Sequence, residues 1–431
     1  MLDIKLIREQ PDVVKAAAVK KRMPARVEAV DKVLALDGEL RALLPRIEGM
    51  RADQRAAGKK MGSLTPEQRE THLAEQRALK EALIGLEAKE SELKELLRQQ
   101  MLLIPNVPAA ATPEGADDKD NLEVRKVGVV PTFAFPVRSH DDLAMAQGWL
   151  DVERAAKLAG SRNYMLFGDL ALLHDAVLRF AMQHMVAKGF VAVDPPLLVR
   201  DAAMIGTGFY PGGEEQAYRC ERDELNLIGT SEIPVTSIHA DDILDEADLP
   251  KRYVARSACF RREAGTYGKD TKGLYRVHQF HKVEQVILDV ADPARSTEHH
   301  EAIVRNAEEL LASLELPYRV VLVCGGDLGG PQVMKYDIEC WMPSRAGYGE
   351  THSASQFHDY QSRRLNIRYR RKDDRKVAFC HTLNNTVVAS PRILIALLEI
   401  HQQADGTVRV PKALQPLLDG RSVLGKPLAS A

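Results

Sequence analysis

Apolar residues recur at heptad spacing from Val33 through Leu36, Leu40, Leu43, Ile47, Met50 and Ala57, with Gln54 the one polar member of the stripe. The pattern predicts a long amphipathic helix. A second register runs through Leu79, Leu83, Leu86, Leu93, Leu97 and Ile104, with Glu, Lys, Arg and Gln crowding the positions between, and predicts another. Between them stand Gly58, Gly62 and Ser63, then Thr65, Pro66 and Gln68, which match an N-cap, a proline at the first helical position and a capping-box partner. The chain is expected to reverse here, giving an antiparallel coiled-coil hairpin about 45 Å long or more at roughly 1.5 Å per residue. Pro45, inside the first stripe, removes an intrahelical hydrogen bond at about 3 kcal/mol and predicts a bend.

Residues 105–120, PNVPAAATPEGADDKD, have no apolar periodicity and read as a surface linker. Beyond it, short β-branched runs such as Val283 to Leu288 and Tyr318 to Val323 alternate with helical stretches such as Leu170 to Lys188 and His299 to Leu314. Strands without regular βαβ spacing favour an antiparallel or mixed sheet with flanking helices, an α+β domain. The expected organisation is a helical arm over 1–104, a linker over 105–122 and a core domain over 123–431. Glycine-rich phosphate loops of the GxGxxG or GxxxxGK[ST] kind are absent from the sequence, so side chains must hold any bound nucleotide.

Charge adds one asymmetry. The whole chain carries 59 Lys plus Arg against 61 Asp plus Glu, a net −2, with no global signature of a polyanion binder. Residues 1–100 hold 20 basic and 17 acidic side chains, a net +3, which leaves 39 and 44, a net −5, for the rest. The arm is the basic half. Five scattered cysteines without a CxxC pair read as reduced thiols and give no reason to expect zinc. The start, MLDIKLIREQ, lacks a signal-peptide pattern and the longest apolar run, near Ile393 to Leu398, is too short for a bilayer; a cytoplasmic protein with no membrane contact is expected. His174, His184, His299 and His300 lie on helical stretches and read as surface or core residues rather than metal ligands.

Two stretches carry the chemistry. KGFVAVDPPLLV, Lys188 to Val199, predicts a helix end, a strand and a proline stop, which alone is packing punctuation. ACFRREAGTYGKDTKGLYRVHQFHKVEQV, Ala258 to Val286, sets two β-like segments around a loop with Gly265, Gly268, Lys269, Asp270, Lys272 and Gly273. Arg261 and Glu263, two apart, are expected to share one strand face, and Phe280, Lys282 and Glu284 a face of the returning strand. A guanidinium beside a flat aromatic and carboxylates suits a purine nucleotide, the arginine gripping phosphate and the ring stacking on the base. A hairpin salt-bridge network is the plainer reading of the same residues.

With FRRE followed by Arg276, Phe280 and Glu284, the chain resembles the bacterial-type seryl-tRNA synthetases, of class II, over essentially its whole length. GFVAVDPP is similar to the first signature motif of that class, with Pro196 implied at a homodimer interface, and TLNNTVVASPRILIALLE, Thr382 to Glu399, to the third. The resemblance implies a class II catalytic domain with a mainly antiparallel sheet flanked by helices behind a tRNA-binding arm. It also implies ATP and Mg2+, with L-serine and tRNA(Ser) as partners and tRNA(Sec) as a further acceptor.

Carried over residue by residue, the resemblance implies that Arg261 contacts the α-phosphate, Arg392 the γ-phosphate, and that Phe280 stacks on adenine near Glu263. Arg262 and Val277 join the ATP contacts, although strand alternation points Arg262 away from its neighbours. In YGETHSASQF, Tyr348 to Phe357, Glu350 and Ser353 resemble the family's oxygen ligands for magnesium, with Thr351 and His352 between them. The serine site is implied at Thr230, Ser231, Glu232, Arg261, Glu284, Asn384 and Thr386, and Arg261, Glu284 and Arg392 are the implied catalytic set. A polar pocket of this kind rejects alanine through the unpaired groups that a missing hydroxyl leaves. Arg41, Arg51, Arg55, Lys59, Lys60 and Arg77 of the arm are the candidate contacts to tRNA phosphates.

Gly349 departs from the family, which often has arginine just before the metal-binding glutamate, so a basic contact is absent there or supplied elsewhere. Ala389, Ser390 and Pro391 stand where class II chains often have glycines. Two other functions fit parts of the pattern. One is a seryl-adenylating paralogue that passes serine to a carrier protein, which the basic arm argues against. The other is a non-catalytic RNA-binding module, which the intact Arg261, Glu284, Glu350 and Arg392 argue against.

Overall fold

The computed structural model describes residues 1–61, 65–265 and 273–428. Gly62 and Ser63 of the expected turn, and Gly268, Lys269, Asp270 and Lys272 of the expected loop, lie outside the described residues. The chain divides into two compact units, Met1–Val107 and Pro108–Ala431.

The first unit is helical: α1 Ile4–Glu9, α2 Pro11–Lys20, α3 Ala25–Lys60 and α4 Pro66–Leu103. Thr65 caps α4 as its sequence predicts, its hydroxyl accepting from the Gln68 N–H at 3.4 Å while the Gln68 amide oxygen accepts from the Thr65 N–H at 3.0 Å. Leu40, Leu43 and Ile47 of α3 pack with Leu83 and Leu93 of α4, flanked by Leu36, Met50, Leu86 and Leu97. The two long helices run antiparallel: Arg51 binds Glu87 at 2.7 Å and His72 bonds the Ala57 carbonyl at 2.9 Å. α3 begins eight residues before the heptad stripe, where Ala29 and Val30 are buried, and Arg8 of α1 clamps Asp37 through two hydrogen bonds of 2.5 and 2.7 Å. Pro45 lies inside α3, which continues on both sides of it.

In the second unit eight strands form one sheet: β1 Leu122–Val127, β2 Val191–Val193, β3 Lys251–Phe260, β4 Gln279–Asp289, β5 Tyr318–Leu322, β6 Met334–Met342, β7 Gly347–His358 and β8 His381–Ser390. Their spatial order is β1-β5-β6-β7-β8-β4-β3-β2. Neighbours are antiparallel except β2, which lies parallel to β3 at one edge. Helices α5 Gly168–Ala187, α6 Pro293–Ser313 and α7 Arg392–His401 pack on it, their Leu173, Val177, Val304, Leu311, Leu394 and Leu398 sharing one core with Val254, Val283, Ile287, Ile338 and Leu383. The segment before β1 is fixed to this unit: Ala109 N–H and the Thr112 hydroxyl donate to the Val333 carbonyl at 2.9 and 3.3 Å, and Gly325 N–H to the Pro113 carbonyl at 2.9 Å. Its irregular backbone thus finds partners in loops of the core.

The centre of the sheet is covered on both faces, since every residue of β4 from Lys282 to Asp289 is buried. Polar side chains here must find partners or face a cavity. One set locks α6 to the sheet: Gln285 and Asn385 amides donate to the Ile303 carbonyl at 3.0 and 2.6 Å, and Asn306 donates to Gln285 at 2.9 Å. Another set opens onto the cavity.

Candidate active site

β3 and β4 form a hairpin. The Phe260 N–H donates to the Ile228 carbonyl at 2.8 Å and the Arg261 N–H to the His278 carbonyl at 2.9 Å, so β3 ends as Arg261 leaves it. Arg261 and Glu263 therefore share no strand face. Glu263 takes a left-handed backbone, φ 50°, an uncommon conformation for a non-glycine residue. Both side chains still line one cavity of ≈ 260 Å3, and Arg276 donates to the Glu263 carboxylate at 3.3 Å. Phe280, Lys282 and Glu284 enter from one face of β4 as alternation predicts.

Two β-bulges decide what else reaches the cavity. Between β6 and β7, Ile338 pairs with His352 but Glu339 pairs with Glu350, so Thr351 is an extra residue. In a regular strand Glu350 and Ser353, three apart, would point to opposite faces; the bulge brings both to the cavity, with Ser355. Between β4 and β8, Val283 pairs with Val388 and Glu284 with Thr386, leaving Val387 extra. Asn384 and Thr386 on one side of that bulge and Ala389 on the other thus all line the cavity.

The cavity has two electrical ends. At one, Arg261, with its guanidinium carbon 5.1 Å from the Phe280 ring centre, and Arg392 are cationic. Arg392 donates to the Tyr275 and Glu350 carbonyls at 3.3 and 3.1 Å and lies 3.8 Å from the Glu350 carboxylate. Enclosure works against ionisation of Glu350, but the charges of Arg392, Lys335 and Arg261 outweigh it and hold the carboxyl below its ordinary range. At the other end Glu232 and Glu284 are buried acids. Burial, then the neighbouring Glu284, push Glu232 up to about 7. Burial also raises Glu284, opposed by an ion pair with Lys282 and a 3.2 Å hydrogen bond from Thr386. Gln361 donates to Glu232 at 2.8 Å and accepts from Thr382 at 2.6 Å.

Of the residues that the sequence singles out, Thr230, Glu232, Arg261, Glu263, Val277, Phe280, Glu284, Glu350, Thr351, Ser353, Asn384, Thr386 and Arg392 line this cavity. Ser231, Arg262 and His352 do not. Ser231 is buried where the short helix Glu232–Thr236 begins, and Arg262 is exposed. His352 points to the opposite side of the bulge, hydrogen-bonded to the Thr351 hydroxyl at 2.7 Å, and burial lowers it to about 4. The four helical histidines have structural partners: His174 bonds Ser390, His184 the Asn306 carbonyl, His299 Asp289 and His300 the Ala354 carbonyl. On the arm, Arg41, Arg51, Arg55, Lys59 and Arg77 are exposed, Arg51 in its ion pair with Glu87; the Lys60 side chain lies outside the described residues.

Sequence reasoning missed Phe209, Tyr275, Gln332, Lys335 and Asp337. Lys335 and Asp337, 3.0 Å apart, alternate on β6 beside Glu350 and Ser353, a signal legible once β6 and β7 are known to pair. Burial, then the charge of Glu350, push Asp337 up to about 7 against the pull of Lys335. A second cavity of ≈ 940 Å3 adjoins the first, sharing Phe209, Arg261, Glu263, Tyr275, Lys335, Glu350 and Arg392, and extends past Arg276, Arg319 and Arg345.

Residues 1–108 match the Seryl-tRNA synthetase N-terminal domain, and residues 218–401 the tRNA synthetase class II core domain (G, H, P, S and T). A serine–tRNA ligase of Deinococcus radiodurans is 45% identical over 428 residues, 99% of this chain and 100% of that protein. The crystal structure of seryl-tRNA synthetase from Pyrococcus horikoshii complexed with ATP superposes with a TM-score of 0.92 at 40% identity, covering 99% of both chains. The cytoplasmic serine–tRNA ligase of Naegleria fowleri in complex with AMP gives 0.86 at 29% identity, also over 99% of both. With both domains matched and relatives aligned end to end, the chain belongs to the seryl-tRNA synthetase family.

Proposed function

We propose the following course for the serine–tRNA ligase reaction of this chain. The observation that carries it is one cavity with arginines at one end and buried carboxylates at the other. ATP lies at the cationic end, with Arg261 on the α-phosphate, Arg392 on the γ-phosphate and adenine on the Phe280 ring; that a relative with the same fold is complexed with ATP supports ATP as the ligand. Serine lies at the acidic end, its ammonium group read by Glu232 and Glu284 and its hydroxyl by Thr230, Asn384 and Thr386.

The serine carboxylate attacks the α-phosphorus, the bond to the bridging oxygen breaks, and pyrophosphate leaves with the electron pair. Seryl-adenylate remains. Positioning and charge neutralisation by Arg261 and Arg392 carry most of this step. In the second step a 3'-terminal ribose hydroxyl of tRNA attacks the seryl carbonyl and AMP leaves, an adenylate phosphate oxygen accepting the hydroxyl proton. The donors of Glu350 and Ser353, hard oxygens brought to one face by the Thr351 bulge, fit magnesium, which when bound to them would neutralise phosphate charge.

The basic arm binds the tRNA, tRNA(Ser) and, where present, tRNA(Sec), through Arg41, Arg51, Arg55, Lys59, Lys60 and Arg77. The protein acts as a cytoplasmic homodimer, joined beside edge strand β2, where Val191, Leu197 and Leu198 are exposed apolar side chains with Leu172 and Val186 of α5. Among the described residues no helix is long and apolar enough to cross a membrane. A carrier-directed seryl-adenylating protein finds no support: the relatives align through the N-terminal domain as well as the core. The test is serine-dependent ATP–pyrophosphate exchange followed by transfer of labelled serine to tRNA. Exchange with transfer is expected; exchange without transfer would overturn the tRNA step, and no exchange the whole course.

A further inference from the structure

Gly349 is buried in the wall of the larger cavity, directly before Glu350. A Cβ there would meet Met342 Sδ at 3.0 Å and Tyr275 Cε2 at 3.2 Å, closer than ordinary contact. The Tyr275 ring therefore occupies the space into which a side chain at position 349 would grow. That ring carries two arginines. The guanidinium carbon of Arg392 lies 4.4 Å from its centre and that of Arg345 lies 4.3 Å from it, so the two charges sit within about 9 Å of each other.

The turn that carries Arg345, an exposed residue, is anchored to the core. It ends the turn Pro343–Arg345, after which Ala346 takes a left-handed backbone, φ 46°. The preceding Ser344 donates its N–H and hydroxyl to the two oxygens of Glu399 at 2.9 and 2.7 Å. Glu399 lies in α7, the helix whose first residue is Arg392. One helix therefore places both arginines, Arg392 directly at its start and Arg345 through the Ser344–Glu399 bonds. Both line the larger cavity, next to Arg276 and Glu350. In the same cavity Arg319 pairs with Glu339 and Glu123, and Arg276 with Glu263.

We propose that Arg345 is a phosphate-binding residue of this chain: it contacts the β,γ end of ATP and the departing pyrophosphate beside Arg392, from the Tyr275 ring that fills the space at Gly349. Two positive charges around one ring gain from a dianionic group that both contact, and a flat guanidinium suits a phosphate edge. The proposal rests on the reading of the cavity as an ATP site, with the triphosphate tail toward Arg392.

The experiment compares ligands with and without that tail. In the wild-type enzyme and in Arg345→Ala and Arg345→Gln, direct binding of ATP, pyrophosphate and AMP is measured without serine, alongside KM for ATP and serine in pyrophosphate exchange. Removing one charge-assisted hydrogen bond is expected to weaken ATP and pyrophosphate by about tenfold or more, with AMP affinity, KM for serine and thermal unfolding unchanged. Unchanged ATP and pyrophosphate binding would overturn the proposal, as would equal weakening of AMP, which marks a residue that only supports the Tyr275 wall. Should Arg345→Ala fail to fold, Arg345→Gln, which keeps most of the stem, decides by the same comparison. Wild-type protein that binds ATP but shows no serine-dependent exchange would overturn the reaction course while leaving the ATP-against-AMP contrast to judge Arg345.

Discussion

Gln361 donates a 2.8 Å hydrogen bond to Glu232, a buried carboxyl that burial and the neighbouring Glu284 hold at about 7. Under the proposed placement of serine, its ammonium group pairs with the ionised form of this acid, so a proton must leave Glu232 before serine is captured. Below about 7, kcat/KM for serine is expected to fall toward acid with a slope approaching one, while KM for ATP stays flat over the same range. Glu232→Gln should flatten that profile at a low value. A wild-type profile flat down to about pH 5.5 would separate Glu232 from serine binding.

The same carboxyl sets a sign for stability. Its folded pKa, about 7, exceeds the ordinary 4.5, so between these values the folded protein holds more protons than the unfolded chain. Stability contributed by this group falls as pH rises through that window, and the full cost, of order 1–3 kcal/mol, is present above it. Glu232→Gln removes the cost. Its Tm is expected to exceed that of wild type by a few degrees at pH 8 and to match it at pH 4.5, read by calorimetry without serine.

Arg392 meets the cavity from the first residue of a helix that is buried from Ile393 to His401. Truncating the side chain leaves that apolar packing intact. Arg392→Ala is therefore expected to keep its Tm within about a degree while serine-dependent pyrophosphate exchange falls by roughly 10²–10³ fold or more, the scale for losing one charge that stabilises a transition state. Exchange at the wild-type rate would remove Arg392 from the reaction.

The hairpin and the motif-bearing strands were legible because each rests on a local rule: the Thr65–Gln68 cap, the heptads that pair Leu43 and Ile47 with Leu83, and the period-two face of Phe280, Lys282 and Glu284. What alternation could not supply were the interruptions. Nothing within the sequence near Thr351 or Val387 announces a bulge, since a bulge is a property of two paired strands. The Arg261–Glu263 pairing failed for the same reason, because β3 ends where its neighbours change. Lys335, Asp337 and Arg345 join the site only through strand order and the Ser344–Glu399 bond, both long-range relationships that local patterns do not encode.

The Thr351 bulge has a direct consequence for metal dependence. Ser353 reaches the cavity beside Glu350 only because of that extra residue. In the proposed magnesium site Ser353→Ala would delete one oxygen donor without charge change, so the magnesium concentration for half-maximal exchange is expected to rise several-fold with KM for serine unaltered. Glu350→Gln should raise it further. Magnesium titrations that coincide with wild type would place the metal on other groups.

The arm should govern tRNA and leave adenylate formation alone. Arg41, Arg55, Lys59 and Arg77 are exposed on the helices α3 and α4, whose packing uses Leu40, Leu43, Ile47, Leu83 and Leu93 instead. Replacing the four by alanine is expected to keep pyrophosphate exchange and helicity, raise KM for tRNA, and lower the slope of log K against log salt by roughly one for each phosphate no longer neutralised. Deleting Val33 to Leu97 should likewise spare exchange but abolish discrimination among tRNAs. Charging of serine tRNA that survives the deletion unchanged would make the hairpin a spacer, because phosphate and shape recognition along two long helices is the means by which such an arm selects an RNA.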